Sequence, residues 1–190
     1  MPLLIKYMNN NNKRSIKDLD LAFIDTETTG TDFNHELIEI AVIRASSYDF
    51  TVLDEWEAKI KPRNIESAEE AALKINHYND KDWEKAVDLE TALKTFLEKT
   101  ENAVLVGHNL TFDWTYIHKS LAEFNLKPTF HFKSLDTISL AWQKLRHDSG
   151  IRSFSVKELA NYFNIKQDKP HSALDDARTA YKIFLKLNEL

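Results

Sequence analysis

The sequence predicts an α/β domain built on a mixed five-stranded sheet flanked by helices. Three observations lead there. Three strand-type runs crowd into the first 60 residues, the last two joined by a turn-length SSYDF. Beyond them, strand-type and helix-type segments alternate. The 190 residues suffice for one domain with a substantial core, and no repeat or interdomain linker divides them.

The elements follow in order. Residues 20–25 (DLAFID) are a short apolar run ending in an acid, the pattern of a buried strand. Residues 37–44 (LIEIAVIR) are apolar on both alternating faces except at Glu39, which predicts a central strand covered on both sides. In residues 52–60, Trp56, Ala58 and Ile60 alternate with Glu55, Glu57 and Lys59, so this strand is half exposed. The short link before it favours an antiparallel pair, and the sheet opens as a three-stranded meander. Ser67 and Glu70 have capping-box spacing ahead of AALKI. Residues 90–99 place Leu93, Phe96 and Leu97 on one helix face. Residues 103–107 (AVLVG) read as another buried strand. A helix from about Thr111 to Asn125 then buries Trp114, Ile117, Leu121 and Phe124. Residues 131–136 (HFKSLD) are the fifth strand, and Ser155 with Glu158 forms a second capping box opening VKELANYF. The last helix, 173–188, buries Ala173, Ala177, Ala180, Tyr181 and Phe184. With only 3 glycines, each is expected where the backbone demands it: Gly30 at a sharp turn after the first strand, Gly107 at a strand end, Gly150 in a loop.

Composition removes several function classes. Hydrophobic content of 43 % fits a folded protein rather than a disordered one. Without cysteine there are no disulfides or thiolate metal sites, so any metal must use oxygen or imidazole ligands. A net charge of −5 argues against general polyanion binding. The charge is uneven, however. Residues 54–101 hold 13 acidic and 8 basic side chains, whereas 127–157 hold six cations against Asp136 and Asp148. The cationic stretch suits a phosphate backbone, and a solvated helix face explains it equally well. The opening MPLLIKYM, followed by NNNNK, is too short and interrupted for a signal segment, and no run approaches the ~20 apolar residues of a membrane span. Residues 1–17 are expected to be a weakly ordered arm, residues 18–190 the domain, and the protein cytoplasmic.

Five dispersed residues carry the chemistry. Asp25 and Glu27, in FIDTETTG, lie two apart at a strand end and so point to one face, within reach of one ion. Asp113, in GHNLTFDWTYI, sits in the first turn of a helix that follows a strand, a corner where α/β folds bind ligands. Asp176, in HSALDDA, lies in the first turns of the last helix, with His171 five residues earlier in a loop. Five is not a shared-face helical spacing, so the two converge only if the histidine is on the loop and the acid on the helix. Asp175 competes with Asp176; position 176 lies nearer the stripe of Ala177 and Ala180. Each acid alone also has a local explanation, as a strand end or as a helix-start acid. Together, four carboxylates in one cleft repel each other and call for divalent cations. Oxygen ligation selects Mg²⁺ or Mn²⁺, and two such ions ~3.5–4 Å apart suit in-line displacement at phosphorus.

FIDTETTG, GHNLTFDWTYI and HSALDDARTA, in that order, resemble the three exonuclease motifs of the DEDDh (DnaQ-like) superfamily. That superfamily includes the proofreading exonuclease subunit of bacterial DNA polymerase III, RNase T and oligoribonuclease. The resemblance runs from about Asp20 to Leu187 and extends to LIEIAVI and LDTISLAW. It implies an RNase H-like fold and metal-dependent 3′→5′ exonuclease activity that releases nucleoside 5′-monophosphates. By the same resemblance Asp25, Glu27, Asp113 and Asp176 would hold two Mg²⁺ or Mn²⁺ ions, and His171 would be the general base. The choice of Asp176 over Asp175 rests mainly on the family's H-x4-D spacing. Thr28 and Thr29 are expected to contact the terminal nucleotide through backbone and hydroxyl groups, with Asn109 and Phe112 as supporting or stacking groups. In KINHYNDKDWEKA, His77 occupies a position where many members have glycine.

Three functions compete. The first is an exonuclease trimming DNA or RNA 3′ ends. The second is an RNA-trimming enzyme of the RNase T or oligoribonuclease kind. The third is a polymerase-associated proofreading or interaction module, with the acidic 54–101 segment or the Asn-rich arm as its docking surface.

Overall fold

The sheet has the strand order β3-β2-β1-β4-β5. Its strands are β1 (Leu21–Thr28), β2 (Leu37–Ala45), β3 (Val52–Lys59), β4 (Val104–Gly107) and β5 (Ser134–Asp136). The computed structural model describes residues 15–190, so most of the expected N-terminal arm lies outside the described residues. Strand β1 pairs antiparallel with β2, and β2 with β3, giving the meander; β1–β4 and β4–β5 are parallel. The result is the expected mixed five-stranded sheet, and six α-helices flank it.

These helices are α1 (Glu70–Ile75), α2 (Leu89–Lys99), α3 (Leu110–Glu123), α4 (Thr137–Leu145), α5 (Val156–Tyr162) and α6 (Ala173–Asn188). Strand alternation sorts the sheet residues between two layers. Ala22, Ile24, Ile40 and Val42 pack with Leu93 and Phe96 of α2 and Ile117 and Leu121 of α3. Phe23, Ala41 and Ile43 pack with Ala173, Ala177 and Phe184 of α6. Phe23 meets Tyr181 and Phe184 edge-on, both with ring centroids 5.2 Å apart. The small residues of α6 let it lie close to the sheet, and this closeness brings its first turn to the end of β1.

Several local expectations need correcting. Strand β1 continues three residues past Asp25, because Thr26, Glu27 and Thr28 keep pairing with Ile40, Glu39 and Leu37. Strand β5 is shorter than expected: the His131 N–H goes to the Ala103 carbonyl, and the Lys133 N–H to the imidazole of His131. The first capping box does not form. The Ser67 hydroxyl donates to the Asn64 carbonyl within a 3₁₀ turn, and α1 starts later, after Glu69. In the second, Ser155 accepts from the Glu158 N–H, but the Glu158 carboxylate turns to the N–H groups of Arg152 and Ser153. Gly30 does not adopt a positive φ. Its missing side chain instead makes room for the His35 ring, which would lie 2.5 Å from an added Cβ. His77 does sit in the left-handed region, with φ 56°, which explains why glycine suits that position.

Candidate active site

Strand β4 stops pairing with β1 at the Phe23–Val106 position. Asp25 and Glu27 lie beyond that point, so their β4 side is open at the carboxyl ends of the parallel strands. On the other side β2 continues, placing Ala41 opposite Asp25 and Glu39 opposite Glu27. The gap left by β4 is where Asp113 enters from the first turn of α3. It is buried, 3 % exposed, and its Oδ1 accepts a 2.7 Å hydrogen bond from the Thr26 hydroxyl. Thr26 points to the α3 face while its two neighbours point to the α6 face, so one strand serves acids arriving from both layers.

From the other layer come His171 and Asp176. His171 has φ 63° in the loop before α6, and its backbone N–H donates to Asp176 Oδ2 at 3.0 Å. This bond folds the loop back onto the helix, so that donor atoms of Glu27, His171 and Asp176 lie within 4.8 Å of one another. Asp175 turns elsewhere, accepting from Arg178 at 2.9 Å. The five residues singled out from the sequence thus gather at one end of the sheet, four of them as carboxylates from three separate elements.

Their electrostatics are unbalanced. Burial, then Asp113, Glu27, Asp176 and Glu39, holds the Asp25 carboxyl well above the usual carboxylate range. Glu27 is pushed up to about 8, first by burial and then by Asp176, Glu39 and Asp113, with Lys59 opposing. Asp113 is pushed up to about 7 by burial, against the hydrogen bond from Thr26. Burial also raises Asp176, opposed by the His171 N–H and imidazole.

Glu39 is the residue that sequence reasoning missed. It is 1 % exposed, directly across from Glu27, and Lys59 Nζ lies 3.4 Å from its Oε1. Burial raises its carboxyl too. The available signal was a lone acid in a strand apolar on both faces, since a charge is rarely buried without a reason. Lys59 is itself held 3.7 Å over the Trp83 ring.

The expected nucleotide contacts divide. Thr29 is fully buried, its hydroxyl accepting from the Glu36 N–H, and the Thr28 hydroxyl donates to the Gly30 carbonyl. The peptide groups here are engaged as well: the Asn76 amide donates to Thr28 O, and the Glu69 N–H to Thr29 O. Both threonines therefore brace the turn. Asn109 is exposed in the left-handed region (φ 63°), and its side chain makes no capping bond. The Asp136 carboxylate instead receives the Leu110 N–H at 2.7 Å. Phe112 is half-buried against Tyr116. His108 Nδ1 lies 2.8 Å from the Thr137 hydroxyl, and its Nε2 is buried without a hydrogen-bond partner among the described residues.

Comparison with known proteins agrees with this geometry. The fold is that of E. coli Exonuclease I in complex with a dT13 oligonucleotide (TM-score 0.75, 19 % identity, 90 % of this chain and 40 % of that one). It is equally that of the nuclease domain of 3′hExo, a DEDDh family member bound to rAMP (TM-score 0.74, 16 % identity, 90 % and 92 %). The family model described as Exonuclease, of the RNase T group, matches residues 22–184, and the chain belongs to this DEDDh exonuclease superfamily. Curated relatives include the PolC-type DNA polymerase III of Caldanaerobacter subterraneus subsp. tengcongensis, 29 % identical over 171 residues and 90 % of this chain. That of Thermotoga maritima is 27 % identical over 174 residues and 91 % of this chain. The chain spans 12 % of the length of these two relatives. No helix among the described residues is long and apolar enough to cross a membrane.

Proposed function

We propose that this chain is a divalent-metal-dependent 3′→5′ exonuclease that hydrolyses DNA or RNA strands and releases nucleoside 5′-monophosphates. One observation carries the reading: Asp25, Glu27, Asp113 and Asp176 converge where β4 leaves β1 open, and their carboxyls are raised by burial, with repulsion from the other acids adding at Asp25 and Glu27. Such a set lacks a counter-charge, and its oxygen and imidazole donors fit a hard cation, Mg²⁺ or Mn²⁺. In this reading the four carboxylates hold two ions, with Thr26 fixing the orientation of Asp113. When bound, the ions offset the carboxylate charge and stabilise charge developing on the phosphate and the leaving 3′ oxygen.

His171 takes the proton of the attacking water at a ring nitrogen. Its backbone is tied to Asp176 while its side chain stays exposed, which allows the ring to approach and leave. Asn109, with an amide free of capping, and the Phe112 ring stand on either side of α3's start for the terminal nucleotide. Residues 18–190 form the exonuclease domain in this account.

The PolC-type relatives favour a DNA 3′ end and a polymerase-linked role; the rAMP-bound neighbour keeps RNA trimming as the second reading. One assay separates them: 3′- and 5′-labelled DNA and RNA strands of several lengths, in Mg²⁺, Mn²⁺ and EDTA. Metal-dependent loss of 3′ label is expected. Activity that survives EDTA, or the Asp25→Ala change, sinks the proposal. Strict preference for RNA dinucleotides excludes proofreading. Recovery of a polymerase in a pull-down, with no turnover in either metal, favours an interaction module.

A further inference from the structure

Some cations of this protein are held in ion pairs, and others, among them Lys61, Lys74, Lys81, Lys85 and Lys182, are in none among the described residues. Arg44, Lys59, Arg63, Lys99 and Arg178 are all ion-paired, with Asp20, Glu39, Glu36 and Glu123, Asp54, and Glu55 and Asp175 respectively. The six cations of residues 127–157 make no ion pair among the described residues. Arg146 donates only to the Gln143 carbonyl of its own helix turn. An unneutralised cationic flank on a protein of net charge −5 is a surface with an unmet electrostatic partner.

A groove of about 440 Å³ opens on this flank, against the outermost strand β5. Leu110, Thr111 and Trp114 line it from α3, Ser134, Leu135 and Asp136 from β5, and Ser139 and Leu140 from α4; the Asp136 carboxylate accepts from the Leu110 and Ile138 N–H groups. Thr111 and Trp114 bracket Asp113 in sequence, so the groove borders the candidate active site across one helix. From Ser139, a stripe continues along α4 through Trp142 and Arg146, at spacings i, i+3 and i+7. All three are exposed, and Trp142 remains 55 % exposed, unusual for an indole. The Arg146 guanidinium lies 5.0 Å from its ring centroid, and Lys133 precedes Ser134 at the groove wall.

We infer that this β5–α4 flank binds the single-stranded part of a nucleic-acid substrate upstream of the cleaved 3′ end. Trp142 is a platform for one base, and Arg146 and Lys133 take flanking phosphates. Stacking on an exposed ring needs an unpaired base, whereas a duplex offers only its backbone. An aromatic surface flanked by free cations matches that chemistry better than an acidic or apolar partner does. The inference rests on the nuclease reading, and extends it to a surface beyond the carboxylates.

The test uses the whole chain and two substrates. One is a labelled 12-residue oligothymidylate, measured for binding in EDTA and for cleavage in Mn²⁺. The other is the p-nitrophenyl ester of thymidine 5′-monophosphate, too small to reach α4. In the double variant Trp142→Ala, Arg146→Ala, the Kd and KM for the 12-mer should rise about fivefold to a hundredfold. Hydrolysis of the ester should stay at wild-type level, and Trp142→Phe should restore most of the 12-mer affinity. Unchanged 12-mer affinity in the double variant overturns the inference. So does equal affinity of the wild type for the 12-mer and its blunt duplex, or no 12-mer binding at all. If neither substrate is cleaved while the 12-mer still binds through Trp142, the nuclease reading fails and the binding surface stands.

Discussion

Two clusters in this molecule offer nearly the same donors and differ in everything around them. Glu27, His171 and Asp176 converge to within 4.8 Å, and so do Asp32, His35 and Glu69. The first draws on β1, a loop and α6, and crowds against Asp25, Asp113 and Glu39. The second braces the loop after β1. His35 Nε2 lies 3.1 Å from Glu69 Oε1, Lys119 Nζ reaches the Phe33 and His35 carbonyls, and the Tyr116 hydroxyl lies 2.7 Å from the Asp32 carbonyl. In the first, carboxylates are desolvated together with too little positive charge; in the second, His35 and Glu69 pair with each other and Asp32 is exposed to solvent. A list of metal-capable side chains is therefore a poor guide. Uncompensated burial distinguishes a site built for a cation from a strap.

Breaking that distinction should produce graded effects. The largest is expected for Asp25→Ala, which removes several kcal/mol of charge stabilisation and so lowers 3′ cleavage roughly a thousandfold, measured by turnover of a labelled strand. Asp32→Ala, in the other cluster, should leave turnover near wild type; a comparable loss there would erase the contrast. His171→Ala should cost about 10²–10⁴-fold in kcat, with the strand still bound.

Next come the adjacent acids. Asp176→Asn should cripple turnover, whereas Asp175→Asn releases only the contact with the partly exposed Arg178 and should cost at most about 1 kcal/mol of stability. Steady-state rates and denaturant melts of the two variants read this directly, and the reverse order would move the assignment to Asp175.

The pH dependence of stability sharpens the comparison further. Folded Glu27 and Asp113 hold protons up to about 8 and 7, whereas their unfolded counterparts lose them near the ordinary carboxylate range. The folded state therefore binds more protons across that window, and metal-free stability should fall as pH rises from about 4.5 through about 8. Urea melts in EDTA at several pH values measure the slope. Glu27→Gln should flatten it, and saturating Mn²⁺ should offset it by binding the folded state. The smallest effect belongs to the strap: His35→Gln should lower stability by about 1 kcal/mol and leave Mn²⁺ affinity unchanged, as read by calorimetry.

Much of the architecture could be read along the chain because it rests on local periodicity. The alternation in 52–60 and the doubly apolar 37–44 identified a half-exposed strand and a central one, and the alanine-rich stripe of 173–188 marked the buried face of the last helix. The misreadings have a common cause. DTET looks like a strand's end because its side chains are polar, yet its backbone pairs with β2 to Thr28. Ser67 looks like a helix cap, but the Glu69 N–H is drawn to Thr29 O across the chain, and the helix starts later. In both cases a long-range hydrogen bond overrides a local preference.

The same boundary runs through the candidate site. The sequence by itself picked out the side chains that gather at the candidate site: three short motifs, with Asp25 and Glu27 on one strand face and His171 on a loop ahead of Asp176. Charge, donor type and local periodicity are properties of neighbouring residues and survive in one dimension. Only the tertiary structure decided that Glu39 joins the acids, that Thr28 and Thr29 are braces, and that Asp175 turns to Arg178. It also decided that the cations of 127–157 stand in no ion pair among the described residues. Each of these depends on what lies opposite: a strand register, a helix seated on small residues, or a partner far away in sequence. Burial and pairing are set by such contacts, and they decide whether a charged group acts as a brace or stays available for a ligand.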